Sequence, residues 1–482
     1  MEKFNLVVIG GGSAGLMAAA GAAGLGARVA LVESGKMGGD CLNTGCVPSK
    51  ALIASARAAA AVAAGGLGLA PGRADFSWQG ISARVRSVID GIAPHDSVER
   101  FQSLGVEVLQ GRGRLLSPTR VAVTLPGGAD VILDAKAIVI ATGSSPAVPP
   151  IQGLAEAGYL TNETVFTHPT QPRRLAVLGA GPIGAELGQS FARLGSEVTM
   201  VEMAPRVLPR EDPDAAEVLA ASLRADGVRL LTGTLALRAE KNGAGKTVFC
   251  RPLENEGAAE EALEVDEILV ATGRRPNTDG LGLAEAGVAH GRDGVRVDRR
   301  LRTSARTVYA CGDVAGPYLF THMAGQQARV VIQNALLPFK TRIDYRVVPW
   351  CTFTAPEVAR VGLNETEAAE RGIAHRVLKV DFASNDRAAC DGDTQGFLKV
   401  LTPPGKDVIL GATLVGAHAG DLIHELVLAM QAGVGLNRIA GTVHIYPTRA
   451  EIFRRIADES RKASFTPRLR RLFGAYLRWN RS

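Results

Sequence analysis

The chain is 482 residues long, 46% hydrophobic and 21% charged, with a formal net charge of +6. At roughly 150 residues per domain that length predicts about three domains, and the apolar content excludes wholesale disorder. Residues 461–482 hold seven basic residues (Arg461, Lys462, Arg468, Arg470, Arg471, Arg478, Arg481) and no acidic one, so residues 1–460 sum to −1. A nearly neutral body offers nucleic acid no charge footprint. Fifty-six glycines are too many for helical bundles and suit tight strand-to-helix turns. Six cysteines, only two of them close together, do not make a secreted disulfide framework. They point to a reducing, cytoplasmic compartment.

Residues 6–27 run without a charge, about the length of a membrane helix. Seven of them are glycine, and the preceding Met1-Glu2-Lys3 carries no net charge. The stretch is predicted as strand–turn–helix, neither signal peptide nor anchor, and no other segment is expected to be long enough to span. Residues 6–9 form an apolar run, as in a buried parallel strand. Gly10-x-Gly12-Ser13-Ala14-Gly15 follows, then an Ala-rich helix and a strand ending in Glu33. Next comes a glycine-rich arm, residues 38–50, containing Gly39, Asp40 and the C-x4-C pair Cys41 and Cys46. Pro48-Ser49-Lys50 is the predicted start of a helix over 51–64. A dithiol placed beside a nucleotide fingerprint is an arrangement for moving electron pairs between a flavin and sulfur.

The series then repeats. An apolar strand over 137–140 ends in Ala141-Thr142-Gly143, Pro-rich 146–150 and 167–172 follow, and 175–178 reads as a new strand. Gly179-x-Gly181-x-Ile183-Gly184 opens a helix through Leu194, and the next strand ends in Glu202. The third glycine and the terminal Glu are 18 residues apart in both copies, and the second copy also closes on Ala271-Thr272-Gly273. In each, the first glycine permits the turn, the second lets backbone approach a pyrophosphate, and the third lets helix meet strand. The helix N-terminus receives the phosphates, and Glu33 and Glu202 are placed for ribose hydroxyls. Two dinucleotides are therefore implied. An acid at Glu202 favours a free 2′-hydroxyl, hence NADH over NADPH, although Arg206 lies just downstream.

Residues 309–313 read as a strand ending in Asp313. Beyond about residue 342, strands over 397–401 and 410–414 alternate with helix over 419–433, an α+β pattern. The predicted fold is α/β, with two Rossmann-like dinucleotide domains (1–150 with 275–345, and 151–274). A C-terminal α+β domain (346–460) and a basic tail (461–482) complete it.

These motifs, with Arg274-Arg275-Pro276-Asn277 and the segment 348–362, give a resemblance. The chain resembles the flavoprotein disulfide reductases, the group containing dihydrolipoamide dehydrogenase, glutathione reductase and mercuric reductase. The resemblance implies FAD on the first fingerprint, with Gly39, Asp40, Gly113, Thr142, Gly143 and Ser144 around it. Asp313 would hold the ribityl chain, with Leu319, Thr321 and His322 beside the flavin. Lys50 would sit at the flavin's reactive edge and pair with Glu186. Cys46 would face the flavin and Cys41 would exchange with substrate, while Gly273 would belong to the nicotinamide side. The terminal module would form a homodimer and complete the partner's active site.

One motif departs from that pattern. Where the family has His-Pro-Thr and a following Glu, this chain reads His444-Ile445-Tyr446-Pro447-Thr448-Arg449-Ala450-Glu451. A histidine near 6.5 suits acid–base work at neutral pH, whereas a phenol near 10 stays protonated. Glu451 is expected to push that phenol further up. His444, two residues earlier on one face of a strand, is the alternative base, set against a packed or interface histidine. A Tyr here is similar to mercuric reductase, in which thiolates deliver a soft metal, but no cysteine follows Cys390. Cys250, Cys311, Cys351 and Cys390 read as core residues without metal spacing, so no resident metal is expected.

Leu469, Leu472, Phe473 and Tyr476 fall at i, i+3, i+4 and i+7 among arginines, with Trp479 near the end. That is the pattern of a helix at an anionic membrane surface or docked on the protein itself. The expectation is a cytoplasmic, homodimeric FAD enzyme that passes electrons from NADH through Cys41–Cys46 to a lipoyl or other disulfide. The alternatives are a thiol-bound metal ion, or a flavin protein at a membrane surface serving a quinone or protein partner.

Overall fold

The computed structural model describes residues 3–255 and 257–481; Met1, Glu2, Glu256 and Ser482 lie outside the described residues. Contacts divide the chain into two compact units. One comprises Met1–Ala59, Ala74–Val201 and Thr234–Asp344, the other Ala60–Arg73, Glu202–Gly233 and Tyr345–Ser482.

In the first unit, β1 (Phe4–Ile9) leads into α1 (Ser13–Gly24) and β2 (Val29–Glu33). The cysteine arm follows as α2 (Gly39–Asn43) and α3 (Cys46–Ala64), and then β3 (Val106–Gln110), β4 (Arg112–Ser117), β5 (Arg120–Thr124) and β6 (Asp130–Ile140). The sheet order is β3-β2-β1-β6-β5-β4. β1 runs parallel to β2 and β6, whereas β4 and β5 form an antiparallel flap. Ile9 is level with both Val32 and Ile140, so the strands end together at one crevice, where open α/β sheets bind ligands. The core lies between this sheet and its cover, with Val7, Ile138 and Ile140 fully buried. Ala18, Ala19 and Ala22 of α1 are buried too, so small side chains on that helix serve close approach. Residues 6–27 are thus strand, turn and helix, as expected.

The second copy is β7 (Arg174–Leu178), α4 (Pro182–Arg193) and β8 (Glu197–Glu202), followed by α5 (Pro213–Ala225) and β9 (Glu267–Val270). β7 lies parallel between β8 and β9. The chain then returns to the first sheet: β10 (Val308–Ala310) pairs with β6, placing Ala310 level with Ile140, and α6 (Thr321–Leu336) follows.

The second unit carries a five-stranded antiparallel sheet. It is built from β11 (Pro349–Thr352), β12 (Glu357–Gly362), β13 (Arg376–Asp381), β14 (Phe397–Thr402) and β15 (Gly411–Gly416) in the order β11-β12-β15-β14-β13. Helices α7 (His424–Gln431) and α8 (Glu451–Ser464) bring Leu426, Ile452, Phe453 and Ile456 to its core. Lys399, 1% exposed, sits among Asp212, Asp214 and Glu365 at 2.8, 2.7 and 2.6 Å. Burial alone would lower its pKa, but the three carboxylates outweigh that and raise it. Last comes α9 (Pro467–Trp479).

Three sequence expectations shift. The helix expected from Pro48 starts at Cys46, which puts that thiol in its first turn. The tail does not begin at residue 461, because α8 continues its amphipathic pattern to Ser464. The helical run Gly39–Ala64, 26 residues, is by length and composition apolar enough to cross a membrane, although residues 6–27 were the only such stretch expected. Polar Asp40, Asn43 and Thr44 of this run are instead tied into the active-site network.

Candidate active site

Each fingerprint is a backbone device. A Cβ on Gly10 (φ +111°) would lie 2.3 Å from the Ala141 carbonyl oxygen, and one on Gly15 would lie 1.8 Å from the Gly10 oxygen. In the second copy a Cβ on Gly179 (φ +100°) would lie 2.6 Å from the Ala271 oxygen, and one on Gly184 2.0 Å from the Gly179 oxygen. Neither α1 nor α4 has a side-chain cap, so the first-turn N–H groups are left for phosphate oxygens. Glu33 accepts from the Gly11 amide and, at 2.6 Å, from the Gly35 amide. Glu202 accepts from the Ala204 amide at 2.8 Å. The carboxylates are thereby fixed at the strand ends. Ser13 and Ala14 open α1, and Ala14 backs onto Gly312, where a Cβ would come within 3.0 Å. Ile183 lies half-buried in the first turn of α4. Gly113 on β4 lies where a Cβ would press on Ile9 and Val32 at 3.1 and 3.2 Å. This donor set fits two dinucleotides.

Around the first cradle, polar groups converge from distant segments. Ser144 donates to Asp313 at 2.6 Å, and Arg274 Nε donates to Ser144 at 2.7 Å. Arg274 also reaches Asp40 at 3.1 Å. Burial pushes the Asp313 carboxyl up, against the opposing pull of Ser144 and Arg274. Thr142 donates to the Asn277 carbonyl at 2.7 Å, and the Asn277 amide nitrogen donates to the Gly143 carbonyl at 3.0 Å. Asp40 accepts from Thr44 at 2.7 Å and Asn162 at 3.0 Å. Asn162 and Thr44 belong to this network although sequence reasoning gave them no role, and Arg274 and Asn277 were noted only as part of a motif. Arg274 had a signal, since it directly follows the Ala271-Thr272-Gly273 turn. Gly273 itself takes φ +129° with open space at its Cβ position.

The thiol pair lies on this side of the cradle. Cys41, half-buried, and Cys46, exposed, are both free thiols. Cys46 Sγ is 3.4 Å from the Thr321 hydroxyl in the first turn of α6. The hydrogen bond from Cys41 is the main cause lowering Cys46 to about 6; Thr321 and Lys50 add to it against burial. The same bond, with burial and the Cys46 charge, raises Cys41, while Thr321 and Ser13 oppose. One proton is thus shared, and the thiolate resides on Cys46. Leu319 is at the surface, and Phe320 stacks on His322 at 5.3 Å, forming the aromatic approach to α6. On α3, one turn past Cys46, Lys50 pairs with Glu186 of α4 at 2.8 Å. Glu186 is 6% exposed. This ion pair ties the first copy's thiol helix to the second copy's fingerprint helix.

The C-terminal motif is different from expectation. Residues 442–450 are irregular, not a strand, so period-2 reasoning does not relate His444 to Tyr446. His444 is packed: Nε2 lies 3.0 Å from Glu425 and Nδ1 3.2 Å from the Thr442 carbonyl, with its side chain 6% exposed. Its imidazole is thus held between Glu425 and the chain's own backbone. Tyr446 is exposed and donates to Asp386 at 3.1 Å. Its phenol is raised chiefly by that bond and the Asp386 charge, and Glu451 contributes only after burial. Glu451 opens α8, and its Oε2 is buried with no hydrogen-bond partner among the described residues. Cys250 and Cys311 are buried and Cys351 half-buried, but Cys390 is exposed, contrary to a core role.

A flavin-type cradle, a second dinucleotide cradle and a thiol pair joined to both describe the class of dithiol oxidoreductases fed by a nicotinamide. The chain belongs to the pyridine nucleotide-disulphide oxidoreductase family: residues 4–328 match that domain and residues 348–457 its dimerisation domain. The family uses FAD and NAD(P)H, and the dimerisation domain supports a homodimer. A dihydrolipoyl dehydrogenase of Thermus scotoductus is 37% identical, covering 94% of this chain and 96% of that protein. A mercuric reductase of Staphylococcus aureus is 34% identical over 93% of this chain and 81% of that protein. The Cu(II) complex of the HOCl-induced flavoprotein disulfide reductase RclA from Escherichia coli matches with TM-score 0.84 and 30% identity. The match covers 95% of this chain and 99% of that one. The protein is an FAD-dependent pyridine nucleotide-disulfide oxidoreductase.

Proposed function

We propose that this enzyme takes electrons from NADH and delivers them through Cys41 and Cys46 to a soft metal ion presented as a thiolate complex. The observation that carries the reading is Tyr446. A phenol raised above 10 is too weak an acid to protonate a leaving thiolate of pKa near 8.5, and too protonated to act as a base. The tie between His444 and Glu425 supports a reading in which His444 does not stand in for that group. Reducing a thiolate-bound ion breaks no sulfur–sulfur bond and needs no proton at sulfur. NADH and a divalent ion M(II) give NAD⁺, H⁺ and M(0), and both sulfurs leave as thiolates.

FAD, when bound, supplies the two-electron relay between nicotinamide and sulfur. Cys46 holds the thiolate, Thr321 solvates it, and Cys41 holds the shared proton until a soft ion displaces it. Lys50, fixed by Glu186, keeps a positive charge near the thiolate. Glu202 favours NADH by offering a carboxylate where NADP would place a phosphate. Cytoplasmic residence belongs to the same proposal, because free thiols and a supply of NADH meet there.

A disulfide substrate is the second reading, favoured by the 37% identity to a dihydrolipoyl dehydrogenase. Steady-state NADH and NADPH oxidation with thiol-complexed Hg(II), lipoamide and oxidised glutathione separates the two. The metal complex should turn over at least tenfold faster than either disulfide, and with NADH preferred. Lipoamide turnover equal to that with the metal would sink the metal reading.

A further inference from the structure

We infer that the C-terminal helix α9 docks on an anionic lipid surface. The helix is well begun: Pro467 occupies its first turn and the Thr466 hydroxyl accepts from the Leu469 amide at 3.3 Å. None of its residues is buried. Thirteen residues are marginal as an isolated helix in water, so the helix gains from any surface that takes its apolar face.

That face is large and ordered. Leu472 is 66% exposed and Tyr476 54%. Phe473 stacks on Phe465 at 5.5 Å, and Tyr476 lies 6.0 Å from the Trp479 ring, so the aromatics are gathered rather than scattered. Arg468, Arg470, Arg471, Arg478 and Arg481 surround them, and the last acidic residue of the chain is Glu459.

Charge decides the occupant. Lys462 of α8 is paired with Glu459 at 2.7 Å, but among the described residues Arg468, Arg470, Arg471, Arg478 and Arg481 make no ion pair, and the rest of the chain is close to neutral overall. A nucleic acid would satisfy the arginines and leave the leucines and aromatics in water. A neutral apolar groove would do the reverse. Only a surface that is anionic outside and apolar a few ångströms below takes both faces of one helix, with the aromatic rings at the boundary. The inference is independent of which acceptor the enzyme reduces.

The test uses the full-length FAD holoenzyme and sedimentation with vesicles of pure phosphatidylcholine or of phosphatidylcholine with 30% phosphatidylglycerol. Wild type should sediment with the anionic vesicles at least tenfold more than with neutral ones, and 0.5 M salt should cut that binding. The double variant R470E/R471E should lose it, as should L472S/F473S, while NADH–ferricyanide turnover stays at the wild-type rate. Wild type that ignores the anionic vesicles overturns the inference. Charge-reversed protein that binds them as wild type does overturns it too, as does a helix-dependent oligomer that forms without lipid and blocks vesicle binding.

Discussion

The two fingerprints are the same object where backbone meets backbone and different objects where a cofactor would enter. Gly15 and Gly184 approach Gly10 and Gly179 with Cβ positions 1.8 and 2.0 Å from the facing oxygen, and each has a valine methyl at 3.3 Å. At the middle glycine they diverge. Gly12 is covered by the cysteine arm, where a Cβ on Gly39 would lie 2.6 Å from the Gly12 Cα. A Cβ on Gly181 would meet nothing within 4 Å among the described residues. A cradle roofed by its own chain suits a resident cofactor, and an open one suits a cofactor that comes and goes. The same sequence device thus serves retention or exchange according to what the chain lays across it.

The largest test removes the thiol that both copies serve. Cys46→Ser should cut acceptor turnover at least ~10³-fold, as expected for loss of the thiolate that relays electrons from the flavin side, while NADH–ferricyanide activity persists. Comparable loss of both activities would place Cys46 in folding rather than in transfer. Next, the backbone contacts can be split copy from copy. Gly15→Ala should lower FAD affinity and Gly184→Ala should raise KM for NADH. Each effect should be about 10–100-fold, from the ~1–3 kcal/mol that overpacking costs. FAD titration of the apoprotein and steady-state kinetics read them separately, and FAD loss from Gly184→Ala would undo the division.

The middle glycines give a smaller contrast. Gly39→Ala should weaken FAD about tenfold and lower the melting temperature. Gly181→Ala should leave melting unchanged and raise KM for NADH, because its Cβ meets only the incoming pyrophosphate. Equal melting of the two variants would mean that the roof over Gly12 does not matter. The smallest effect is a titration. With Cys46 lowered to about 6, iodoacetamide labelling of the NADH-reduced enzyme should be flat above pH 7, half-maximal near 6 and falling tenfold per unit below about 5. A midpoint near 8.5 would mean that Cys41 does not hold the shared proton.

Much of this was legible in the sequence because it rests on local spacing. Glycines at fixed offsets and a glutamate 18 residues on specify strand, turn and helix without help from elsewhere. The Lys50–Glu186 pair was legible only through resemblance, since 136 residues separate the partners. What failed depended on tertiary context. The link between His444 and Tyr446 assumed a strand that does not form. The bond from Tyr446 to Asp386 spans 60 residues and left no mark in the motif. The role of Arg274 needs three segments brought together at once.

The shared proton of the thiol pair also bears on damage. An oxidant strikes the thiolate before the thiol, so Cys46 is the sulfur of this pair that becomes a sulfenic acid first. Cys41, already hydrogen-bonded to it, then condenses with that group, releasing water and closing a disulfide. The product is the oxidised form of the pair, which two electrons from the nicotinamide side reopen. For these two sulfurs, an oxidative injury and a catalytic cycle end in the same place, and the enzyme's own fuel is its repair.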